Sequence, residues 1–196
     1  MVDVAKNLLA IKAQLPEGVE LTAVSKFHPD EYITAAYNVG QRIFGESHEQ
    51  ELARKAASLP KDIHWHFIGH LQTNKVKYIA PYISMIESVD SIRLLREIEK
   101  QGARCGRRIR VLLELHIAEE ATKYGLTPDD CRSLLADGEW QQMEHVEICG
   151  LMMMASHTDD HDQIAREMDT AHSFFDEVRG KYFADQPSFR YRSWGM

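Results

Sequence analysis

Lys26 closes the run Ala23-Val24-Ser25-Lys26-Phe27-His28-Pro29, in which Pro29 suits the first turn of a following helix. Read as a strand over 20–26, the stretch puts Leu21, Ala23 and Ser25 on one face and Thr22, Val24 and Lys26 on the other. Lys26 then stands at the C-terminal end of the strand, where α/β folds place ligands. A lysine amine held in a partly apolar pocket loses basicity, because burial disfavours its charged form. A neutral amine can attack a carbonyl carbon and form a Schiff base. The competing reading is a solvated lysine at a strand end, since lysine is almost never buried unpaired. Two histidine groups, His64/His66/His70 and His157 with His161, have spacings that could suit a metal. Hydrogen-bonded interior histidines and an acidic helix start are the simpler readings, so no metal is expected.

The elements that must position these residues alternate strictly. Strands read at 20–26, 42–46, 64–69, 83–89, 107–117, 146–153 and 189–194. Helices read between them at 29–39, 49–59, 71–78, 91–100, 127–135 and 159–182. Val4, Leu8, Ile11 and Leu15 recur at helical spacing before Pro16 and Gly18, which predicts an extra N-terminal helix. Alternation implies βα units and a parallel sheet. No G-x-G-x-x-G follows the first strand, which weakens a dinucleotide fold. Polar residues recur inside strands: His64 and His66 opposite Trp65 and Phe67, and Glu114 and His116 opposite Leu113 and Leu115. A barrel gives such residues an enclosed inner face and gives the helices an apolar outer one. The fold predicted is α/β, a (β/α)8 TIM-type barrel in a single domain over 1–196.

The 196 residues are enough for one sizeable core. Hydrophobic residues make up 44% and charged residues 27%, ordinary values for a soluble domain. The net charge of −7 comes without a basic stripe, which argues against nucleic acid. No apolar run approaches a membrane span, and the N-terminal stretch has no signal-peptide core. Cys105, Cys131 and Cys149 are widely spaced, which fits free thiols in a reducing cytoplasm.

Six segments occur in order: Ala23-Val24-Ser25-Lys26, Phe44-Gly45-Glu46, Trp65 through Lys75 (WHFIGHLQTNK), Ser88-Val89-Asp90-Ser91, Lys123-Tyr124-Gly125-Leu126 and Gly150-Leu151-Met152. With them the chain resembles the pyridoxal phosphate homeostasis protein family from about Leu21 to Met196. That resemblance implies a barrel like the N-terminal domain of alanine racemase. It implies pyridoxal 5′-phosphate (PLP) held as a Schiff base on Lys26, in cofactor homeostasis and without turnover. By the same resemblance Val24 walls the cofactor ring and Met152 packs on it, and Ser88 lies at the site. Ser193, Gly195 and Met196 belong to the phosphate-proximal loop. Ser47 and His116 stand where the family more often has asparagine. Client PLP enzymes are the implied partners. The alternative is a PLP-dependent amino-acid racemase-like enzyme, which needs acid/base groups on both faces of the ring. The second domain that supplies one of them in alanine racemase is not seen in this sequence.

The strand count stops at about seven, the last ending at Met196, where the resemblance implies an eighth strand with further phosphate ligands. A barrel so truncated is expected to leave edge strands open to pairing with a second copy. PLP is then expected to bind more weakly, with little preference over unphosphorylated pyridoxal.

Overall fold

The computed structural model describes residues 3–117 and 124–195. Seven parallel strands form one sheet in chain order: β1 (Ala23–Val24), β2 (Ile43–Glu46), β3 (His64–Phe67), β4 (Met85–Val89), β5 (Ile109–Leu115), β6 (Val146–Met154) and β7 (Tyr191–Gly195). Helices cover it: α1 (Val4–Lys12), α2 (Asp30–Asn38), α3 (Glu49–Ser58), α4 (Val76–Ile79), α5 (Ile92–Cys105), α6 (Pro128–Asp137) and α7 (His161–Tyr182). Strands neighbouring in sequence neighbour in the sheet, so the sheet curls as an α/β barrel does, short of closure over the described residues. No helix among the described residues is long and apolar enough to cross a membrane.

Local sequence explains most helix starts. Asp3, Ser91, Thr127 and Asp160 each accept a backbone N–H from the first turn of their helix. Thr127 is followed by Pro128 at the first helical position. The predicted helix over 71–78 is instead a 3₁₀ turn, Thr73–Lys75, running into the single turn α4. The predicted strand over 20–26 shrinks to two residues, and Lys26 sits in the turn that follows it.

The main core lies between sheet and helices, and a second, smaller cluster of Met85, Leu112, Cys149 and Met152 fills the inner face. An irregularity opposite Val111 and Leu112, where the β6 partners step from Ile148 to Gly150, inserts Cys149 as an extra residue. It lets Cys149 and Met152 share the inner face although they are three apart. Gly150 is required there, since a Cβ would lie 1.9 Å from the Tyr191 carbonyl oxygen of β7. Burial pushes the Cys149 and Cys131 thiols up to about 12, so both stay protonated. Cys105 is the exposed thiol, and all three are free.

Candidate functional site

The ends of the strands and the loops after them surround a cavity of about 1480 Å³. Typical ligand pockets hold about 300–1,000 Å³. Lys26, Val24, Ser47, His116, Met152, Ser193 and Gly195 all line it, brought together from β1, β2, β5, β6 and β7. Met196 lies outside the described residues. Ser88, also expected at the site, is not among the residues lining the cavity: it is buried within β4, its hydroxyl without a hydrogen-bond partner. Strand alternation gives the inward position to its neighbour Glu87, which does line the cavity. The phase of a five-residue buried strand cannot be read from its apolar residues alone.

Glu87 ties the inner face together. Its Oε1 lies 2.5 Å from His66 Nδ1, and its Oε2 accepts the Ser193 hydroxyl at 2.5 Å. The chain His66–Glu87–Ser193 thus joins β3, β4 and β7 and fixes the Ser193 hydroxyl. His70 stacks on Tyr124 at 3.9 Å between ring centroids, with its Nδ1 3.3 Å from Asp90 Oδ2. These contacts engage Nδ1 of His66 and of His70; no group of three or more potential metal ligands gathers among the described residues. Gly69 lets the loop after β3 approach that after β2, because a Cβ there would meet the Ser47 carbonyl oxygen at 2.7 Å.

Glu114 faces the cavity with an unpartnered oxygen. Its Oε2 is buried and has no hydrogen-bond partner. Burial, with the charge of Asp90 acting in the same direction, raises it to about 7. Lys75, which also lines the cavity, forms an ion pair with Glu49 at 2.5 Å, which holds the Glu49 carboxyl below its usual value.

The Lys26 turn rests on a buried network that sequence reading did not single out. Ser25 N–H donates to the Gly45 carbonyl, and His28 N–H donates to the Ser25 carbonyl. Phe27 has φ 65°, in the left-handed region, and its side chain is 74% exposed against His48. A left-handed residue other than glycine costs about 1–2 kcal/mol, so neighbours must hold it. Phe27 N–H donates to Glu51 Oε1 at 2.9 Å. Lys55 Nζ donates to the Ser25 carbonyl, Glu46 Oε1 and Glu51 Oε1 at 2.7, 2.8 and 2.7 Å. The side chains of Lys55 and Glu46 are wholly buried. In the sequence, Glu51 and Lys55 look like a solvated i,i+4 pair on a helix face. Glu46, a carboxylate in a short buried strand nine residues before Lys55, was the signal that could have marked them.

The residues present fit a PLP-sized anionic aldehyde. A primary amine stands in the cavity, Met152 and Val24 give apolar walls, and Ser47, Ser193 and backbone at Gly195 give polar groups.

The profile of the alanine racemase N-terminal domain family matches residues 2–194. The pyridoxal phosphate homeostasis protein of Schizosaccharomyces pombe is 37% identical over 140 residues, 70% of this chain and 58% of that protein. The protein of the same name from Helicobacter pylori is 33% identical, over 82% of this chain and 73% of its own length. PipY of Synechococcus elongatus PCC7942, solved without and with PLP bound, superposes with TM-scores of 0.88 and 0.84 at 32% identity, covering 98% of this chain and 88% of PipY. The chain therefore belongs to the alanine racemase N-terminal domain family, in the group of pyridoxal phosphate homeostasis proteins.

Proposed function

We propose that the chain binds PLP reversibly as a Schiff base on Lys26 and serves cofactor homeostasis without turnover. The observation that carries the reading is the placement of Lys26, Met152 and Ser193 around one cavity, in a fold shared with the PLP-bound PipY structure. The bound cofactor would supply an aldehyde that captures a primary amine. What the chain supplies is the amine, the apolar walls and the polar groups around it. Ser47, Ser193 and the backbone at Gly195 are proposed to receive the phosphate, with Met152 against the ring and Val24 as a wall. Glu114, protonated below about 7, adds no full negative charge to an anion site in mildly acidic conditions. The proposed partners are PLP-dependent client enzymes, and three free thiols suit a cytoplasmic setting.

Absorbance titration and an amino-acid racemisation assay test the reading together. The expected result is saturable PLP binding with no racemisation of alanine or other amino acids. A racemase or transaminase rate that disappears in Lys26→Ala would establish an enzyme instead.

A further inference from the structure

Lys55 has no part in the chemistry of Lys26 as proposed, yet it is the wholly buried lysine among the described residues. Its acceptors show what it holds. The Ser25 carbonyl belongs to the peptide group that leads into Lys26. Glu51, its second acceptor, receives the N–H of Phe27, in the peptide group that leads out of Lys26. Both peptide groups flanking Lys26 are therefore anchored to one ammonium–carboxylate unit on α3. Glu46, the third acceptor, also receives the Ser25 hydroxyl at 2.5 Å and so joins the unit to β2. Between the two anchors the chain takes the left-handed turn at Phe27. Burial alone would raise the Glu51 carboxyl, but its bonds to Lys55 and the Phe27 amide outweigh this and keep it ionised.

We infer that Lys55 is a positioning residue for PLP capture: with Glu46 and Glu51 it locks the turn 25–28 so that the Lys26 amine is held toward the cavity. The inference rests on Lys26 being the PLP-binding lysine. A plain structural ion pair joining α3 to the sheet would change stability but not the behaviour of Lys26 in the folded protein.

The test separates these roles. Lys55→Met with Glu46→Gln removes the clamp together with the wholly buried Glu46 charge, leaving only the carboxylate of Glu51, whose side chain is 19% exposed; Glu51→Ala removes the Phe27 anchor itself. Each is titrated with PLP well below its melting temperature, then reduced with borohydride and peptide-mapped. The loss of one charge-assisted anchor predicts PLP dissociation constants raised about tenfold or more, with adducts spreading from Lys26 to other lysines. Dissociation constants within about twofold of wild type, with the adduct still confined to Lys26, would make the pair merely structural and overturn the inference. If the double variant does not fold, Glu51→Ala decides by the same criterion. Mapping of the wild-type protein is the separate control: an adduct elsewhere than Lys26 removes the PLP-lysine reading itself, and the inference with it.

Discussion

Glu114 shows how one side chain couples the cavity to pH. Its carboxyl titrates near 7 in the folded chain and at 4.5 when unperturbed, because burial and Asp90 disfavour its charge. Between those values the folded state binds the proton more tightly than the unfolded state does. Its contribution to stability is therefore complete below about 4.5 and declines as pH rises through about 7. Glu114→Gln removes this proton linkage. In thermal melts at pH 5 and pH 8 the variant is expected to lose less stability toward the higher pH than the wild type; parallel pH profiles would contradict the assignment. Lys26 and Met152 were legible because the resemblance runs through unbroken motifs that contain them. Glu87 was not, since its partners His66 and Ser193 are 21 and 106 residues away in sequence. Lys55 was not, because a helix lysine is normally solvated and only the fold brings it beneath Ser25.

At the scale of elements, β7 carries Ser193 and Gly195 to the cavity and depends on α7 for its place. Phe189, wholly buried just before β7, stacks on Phe175 and Phe183 with centroids 5.0 and 4.1 Å apart. Trp140 continues the stack onto Phe183 at 4.7 Å. Truncation of a buried phenylalanine costs about 3–5 kcal/mol. Phe189→Ala is thus expected to lower the melting temperature by roughly 6–20 °C, at about 2–4 °C per kcal/mol for a domain of this size. A change below about 2 °C would show that the stack does not anchor β7. Strand order and most helices followed from strict alternation, and their ends fell within a few residues of prediction. The first strand was the exception. Its apolar pattern extends to Lys26, but the turn at Phe27 and the pull of Lys55 on the Ser25 carbonyl end the ladder early. The extra residue at Cys149 was equally hidden, because it answers to the approach of Tyr191 from another strand.

For the whole molecule, the sheet over the described residues begins at β1 and ends at β7, each paired on one side. Unpaired strand edges invite a second chain. Sedimentation of the 196-residue chain is expected to show a concentration-dependent dimer or larger species, and a monomer at every concentration would contradict pairing through these edges. The alanine racemase N-terminal domain family supplies the frame, and the central claim is the use that this chain makes of it. The proposal is that Lys26, in a cavity also lined by Val24, Met152 and Ser193, captures PLP. The most direct test is borohydride reduction of the protein with PLP, followed by peptide mapping. The account predicts one dominant adduct on Lys26 that is lost in Lys26→Ala. Labelling spread over surface lysines, or labelling unchanged in that variant, would contradict it.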